Sequence, residues 1–119
     1  MAHRRAKLTV LGNALIVLPI PTGGLPLSTL GDSFTAQFKN VPGLTSNVVA
    51  TSVTLPAGDA LHWDLQLSAN KSGGGTIHVE ESIYLVENAT TAVLLEFVAP
   101  QGGGVPQEQA IIQSFAFLP

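Results

Sequence analysis

The clearest pattern in the chain is an alternation. Over residues 60–68, Leu61, Trp63, Leu65 and Leu67 take every second position, and His62, Asp64, Gln66 and Ser68 fall between them. A period of two marks a strand with one face toward a core and one away from it. Weaker versions recur nearby. Residues 47–55 set Val49, Val53 and Leu55 against Val48, Ser52 and Thr54. Residues 76–86 set Ile77, Val79, Ile83 and Leu85 against His78, Glu80, Ser82 and Tyr84, with Glu81 breaking the apolar face and pointing to a bulge or to the end of the covered region. Residues 91–99 place Val93, Leu95 and Phe97 on one face. The joins at Pro56–Gly58, ANKSGGGT and Glu87–Thr90 are turn chemistry.

Two segments carry the helical period instead. Leu27, Leu30, Phe34 and Phe38 recur at steps of three and four, with Ser28 as the expected N-cap and Asn40 to Gly43 as the stop. Gly31 weakens the early turn of this helix and leaves room for a later start. Near the C-terminus VPQEQAIIQSF begins with Pro106, carries Glu108 near its positive end and turns Ile111 and Phe115 inward. Upstream, residues 7–18 read as a buried strand, bulged at Gly12-Asn13 or split there into two. The segment from Pro19 to Pro26 reads as a loop that no helix or central strand could cross. The predicted order is β-α-β-β-β-β-α. This is an α+β fold, an antiparallel meander with two helices packed on it.

Length allows one domain, residues 1–119, preceded by a basic arm at residues 1–7. Charged residues are only 11% of the chain. Three of the five basic residues, Arg4, Arg5 and Lys7, lie in that arm. After it two bases meet eight acids, a formal charge of −6. A body without clustered Lys and Arg has no means of displacing phosphate counterions, so nucleic-acid binding is not expected. There are no cysteines, which excludes disulfides, thiolate metal sites and cysteine nucleophiles. The basic start and following apolar run have the outline of a signal peptide, but Gly12-Asn13 interrupts the run and PIPTGG replaces a small-residue cleavage site. The strand reading, and with it a cytoplasmic location over an exported one, is the expectation. No transmembrane segment is expected either, because the run is too short to span a bilayer.

Several of these segments together resemble the PsbP-like and DcrB-like superfamily, of the LpqN type. The matching pieces are a helix ending near VPGLT, LPAGDALHW opening a long strand, SIYLVENATTAVLLEFVAP as strand, turn and strand, and a closing helix ending IIQSFAFLP. The resemblance covers the chain from about Leu25 onward. It departs at the front, where the family usually has a further strand pair and an aromatic–proline lead-in, so the chain is expected to be a shortened member or a fragment. The resemblance implies an accessory module, a subunit stabiliser, effector chaperone or envelope lipoprotein, rather than an enzyme. It implies no catalytic residues and no cofactor.

The residues themselves offer one chemical constellation. If Trp63 stands opposite Glu81, then Asp64 opposes Glu80, Gln66 opposes His78 and His62 opposes Ser82. His62, Asp64, His78 and Glu80 would then share a face with the nitrogen and oxygen donors a divalent ion takes, and could support metal binding or metal-assisted hydrolysis. The simpler alternative is a sheet face that is polar because it meets water. No G-x-S-x-G elbow accompanies the Ser, His and Asp residues. GGGT and QGGGVP lack the features of phosphate loops and read as flexible connections. Asn88-Ala89-Thr90 is a formal glycosylation sequon. A non-enzymatic module acting through protein partners or self-association is the leading expectation. Carriage of a small apolar ligand between helix and sheet is a further alternative.

Overall fold

The computed structural model describes residues 14–70, 72–88 and 91–117. The basic arm, the first part of the apolar run with its Gly12-Asn13 break, Lys71 and two sequon positions lie outside them. The elements are β1 (Ala14–Pro21), α1 (Leu27–Phe38), β2 (Thr51–Leu55), β3 (Gly58–Asn70), β4 (Thr76–Glu87), β5 (Thr91–Pro100) and α2 (Glu108–Ser114). The order is the expected one. The fold is α+β.

The four later strands form an antiparallel meander, and β1 lies antiparallel beside β5, giving the spatial order β1-β5-β4-β3-β2. Because β1 and β2 occupy opposite edges, the connection carrying α1 must cross the whole sheet. Its apolar stripe fits that role. Leu30, Phe34 and Phe38 are buried on Trp63, Leu65, Ile83, Leu85, Leu94 and Ile20. The Phe38 ring meets Trp63 edge-on at 5.2 Å, and the Trp63 indole N–H donates to Thr35 Oγ1 at 2.9 Å. Trp63 is thereby fully buried with its one polar atom satisfied.

The opposite face carries a second cluster of Leu55, Ala60, Tyr84, Val86, Leu95 and Phe97, covered by Ile112 of α2. Partly buried Ile111, Phe115 and Phe117 complete the cover. The helices therefore lie on opposite faces, so β5, with β1 and β4 on either side, is apolar on both. Glu96 is the exception. It is fully buried on the α1 side, level with Ile16 of β1 and Ile83 of β4.

Several local expectations are corrected. The prolines at 19 and 21 do not end the first strand; they sit inside β1, which tolerates them because it is an edge strand. Ser28 is not the N-cap. Pro26 holds that position, without a side-chain cap, and Ser28 lies within the first turn. Gly31 does not delay the helix, which begins at Leu27, and its missing Cβ leaves room for Leu61 Cδ1 where the helix crosses β3. Only residues 51–55 of the 47–55 run form β2; Val48 turns into the α1 core while Val49 stays 65% exposed. No bulge occurs at Glu81, through which the ladders to β3 and β5 run in unbroken register; the residue instead lies where cover runs out, between buried Ile83–Val86 and exposed Thr76–His78.

Between α1 and β2 the chain runs along the far half of β3. Thr45 N–H donates to Gln66 O, Ser68 N–H to Gly43 O, and Gln66 N–H to Ser46 Oγ, at 2.8, 2.8 and 3.0 Å. Gly43 permits this approach: its φ is 83°, and a Cβ would strike the Ser68 carbonyl oxygen. The outer side of β3 beyond β2 is thus sealed by a loop. No helix among the described residues is long and apolar enough to cross a membrane.

Candidate functional site

The polar positions of the β3–β4 hairpin lie on the α2 side, as alternation requires, but their pairing differs from the expected one by two residues. Asp64 opposes Ser82, Gln66 opposes Glu80, His62 opposes Tyr84 and Ser68 opposes His78. A slip of two keeps every side chain on its face while changing its neighbour. The hairpin closes through Asn70 and Thr76, a register that the soft glycine-rich tip could not specify in advance. The shift moves His78 one pair further toward the exposed tip, away from His62 and Asp64. Among the described residues, no group of three or more His, Asp or Glu side chains converges as metal ligands would. The proposed quartet does not assemble.

A different set does. His62 Nε2 lies 2.7 Å from Ser82 Oγ, and the Ser82 hydroxyl donates to Glu108 Oε2 at 2.8 Å. The Tyr84 hydroxyl donates to the same Glu108 oxygen at 3.0 Å. The His62 ring stacks on Tyr84, with centroids 4.4 Å apart and planes inclined by 28°. Asp64 Oδ1 stands 3.5 Å from His62 Nε2, with its side chain 73% exposed. Glu80 Oε1 accepts from Gly104 N–H at 2.9 Å and so fixes the linker that leads into α2. These groups line an open hollow of about 290 Å³ between the hairpin and the start of α2.

The direction of these bonds decides what the cluster can do. Ser82 has one proton, and it is engaged by Glu108. His62 Nε2 must therefore carry the proton that it shares with Ser82, so the chain of donation runs from His62 to Ser82 to Glu108. A nucleophilic serine needs the reverse, a ring nitrogen accepting its proton while the acid holds the other nitrogen. Here Asp64 and Ser82 both address Nε2. The Tyr84 phenol is pushed up from its ordinary value to about 12, first by burial and further by the negative Glu108, to which it donates, and by Asp64, while the nearby Ser82 hydroxyl acts in the opposite direction. Tyr84 is a neutral donor across the physiological range. The arrangement clamps α2 to the sheet.

Ser82, Tyr84 and Glu108 were not singled out for this site by sequence. The signal was Tyr84, a large aromatic on a face otherwise polar, which implies that something covers that face.

The two sheet edges also differ. β1 carries Pro19 and Pro21, which lack N–H donors. β2 has neither proline nor charge, and residues 44–58 are uncharged throughout. Among the described residues, no strand pairs with its outer side. Thr51, Ser52 and Thr54 are exposed. Beside them Leu27, Ser28, Ser52, Thr54, Asp59 and Leu61 border a hollow of about 310 Å³ where α1 begins.

No family model and no curated protein matches the chain. Among solved structures it is similar to PA94 of Pseudomonas aeruginosa, a protein of unknown function given as a candidate regulator. The TM-score is 0.62 at 13% identity, over 98% of this chain and 83% of that one. At this identity the likeness speaks for a shared fold.

Proposed function

We propose that the chain is a small non-enzymatic binding module that acts through protein contacts, by adding an extended partner strand to the β2 edge. The observation that carries this reading is the contrast between edges: one is blunted by prolines, while the other is uncharged, proline-free and, among the described residues, unpaired. Natural sheets guard such edges with charge, proline or a covering segment, because the bare ladder groups are a template for another strand. The loop at 43–46 covers the adjoining part of this same side, yet stops short of β2. Strand addition supplies affinity from main-chain bonds and selectivity from alternate side chains. The resemblance to PsbP-like and DcrB-like accessory domains supports the same class of function.

The test compares wild type with the edge-blocked variant Ser52→Lys/Thr54→Lys in extract from the native source, by gel filtration and immunoblotting. Wild type should elute well above its 12.3 kDa chain mass and the variant at that mass. Equal elution of the two would overturn the reading.

One contact favours a hydrolytic alternative, the 2.7 Å approach of His62 to Ser82. The Ser82 bond to Glu108 opposes it, and a fluorophosphonate probe should leave Ser82 unlabelled. Labelling that disappears in His62→Ala would favour the enzyme. The ligand-carrier alternative gains nothing from the two hollows, which are both open and bordered by polar groups.

A further inference from the structure

We infer that the strand received by the β2 edge is β2 of a second copy, so that two chains form one continuous ten-stranded sheet about a twofold axis at Val53. The inference rests on the strand-addition reading and names its partner. Charge is the first argument. The chain is acidic, −3 overall and −6 after its basic arm, so two copies repel over most of their surfaces. The stretch from Leu44 to Gly58 holds no charge at all. At this edge two identical chains can meet without setting like charges opposite each other.

Geometry then fixes the register. In an antiparallel pair of identical strands, opposed residues share a sheet face, and the axis must pass through one residue. The strand has five residues, Thr51–Leu55, and only an axis at Val53 pairs all five. Thr51 then opposes the partner's Leu55, Ser52 opposes the partner's Thr54, and Val53 opposes its own counterpart. The two faces receive matching chemistry. The Ser52–Thr54 pairs place hydroxyls together on the α1 side, where both residues are exposed. Val53 and Leu55 already belong to the apolar cluster on the α2 side, and their counterparts would extend it. Each copy's hollow beside Leu27 and Leu61 would also gain a second wall from the neighbouring strand.

The experiment is light scattering and sedimentation equilibrium on the purified chain. Wild type should show twice the 12.3 kDa chain mass and dissociate on dilution. Ser52→Lys/Thr54→Lys sets lysines opposite each other and should be monomeric. Ser52→Lys/Thr54→Glu sets opposite charges in the same register and should restore the dimer. Because the chain has no cysteine, Val53→Cys gives a clean report: mild oxidation should yield one cross-linked dimer, since directly opposed residues satisfy disulfide geometry. A purified wild type that stays monomeric at every concentration would overturn the inference. So would a dimer that survives the double-lysine change or a Val53→Cys chain that fails to cross-link. A monomeric purified chain whose larger species in native extract still depends on Ser52 and Thr54 would overturn the second copy while sustaining strand addition by another protein.

Discussion

The two faces of the sheet are covered in different ways. On one, a twelve-residue helix spans the strands and presses Leu30, Phe34 and Phe38 onto Trp63 and its neighbours. On the other, a seven-residue helix contributes Ile112 and is tied down at its first residue, where Glu108 accepts from Ser82 and Tyr84. The first cover is held by apolar burial, which is non-directional and scales with area. The second combines a small apolar contact with charge-assisted hydrogen bonds, which are directional and respond to protonation. The same sheet thus has a permanent lid on one side and a latched one on the other.

The largest expected effect lies on the permanent side. Trp63→Ala removes a fully buried indole, its edge contact with Phe38 and its bond to Thr35. Such truncations cost about 3–5 kcal/mol. Urea unfolding should show that loss as a lower midpoint, with α1 and the sheet melting together. A loss below about 1 kcal/mol would mean that the α1 face is not the main core.

The second prediction uses pH on the latched side. The Tyr84 phenol sits at about 12 when folded against an ordinary 10. A raised folded value means that the neutral form is the one the fold favours. Its contribution is fully present below about pH 10 and is lost as pH rises through about 12, amounting to at most roughly 2.7 kcal/mol. The measurement is the difference in unfolding free energy between wild type and Tyr84→Phe across that window, alongside tyrosinate absorbance. A phenol that titrates at its ordinary value would place Tyr84 in water and remove the lid from above it.

These two sites also show how far the sequence could be read. The period-two run around Trp63 and the three-and-four spacing of Leu30, Phe34 and Phe38 are local signals, and both landed on the face they predicted. Facing is robust because a strand has only two sides. Register is a longer-range property, set where a five-residue glycine-rich tip closes, and it came out two residues away from the expected pairing. That slip replaced a notional quartet of His62, Asp64, His78 and Glu80 by the set that meets Glu108. The position of Glu108 over Ser82 depends on where a short helix settles, 24 to 26 residues downstream of its partners. Propensity carries no information on that. The edge prolines mislead for a related reason: Pro19 and Pro21 exclude a central strand, and spatial order, unknown from sequence, made β1 an edge.

A third prediction cuts the latch itself. Glu108→Ala leaves the Ser82 and Tyr84 hydroxyls without their acceptor, which costs about 2 kcal/mol. The loss should be local. Amide exchange should accelerate in residues 108–114 while α1 and β3 keep their protection, because local openings follow the weakest attachments. Uniform acceleration through both helices would erase the distinction between the covers.

The smallest effect marks where the latch ends. Asp64 stands 3.5 Å from His62 Nε2, but its side chain is 73% exposed, and that nitrogen is already committed to Ser82 at 2.7 Å. Water screens so exposed a pair, and Asp64→Asn should change stability by less than about 0.5 kcal/mol. His62→Ala also removes the ring stacked on Tyr84 and the bond to Ser82, and should cost about 1 kcal/mol. A double-mutant cycle on the two positions separates the terms, and near-additivity is the expected result. Strong coupling would extend the latch outward to Asp64 and make that carboxylate part of what holds the α2 face.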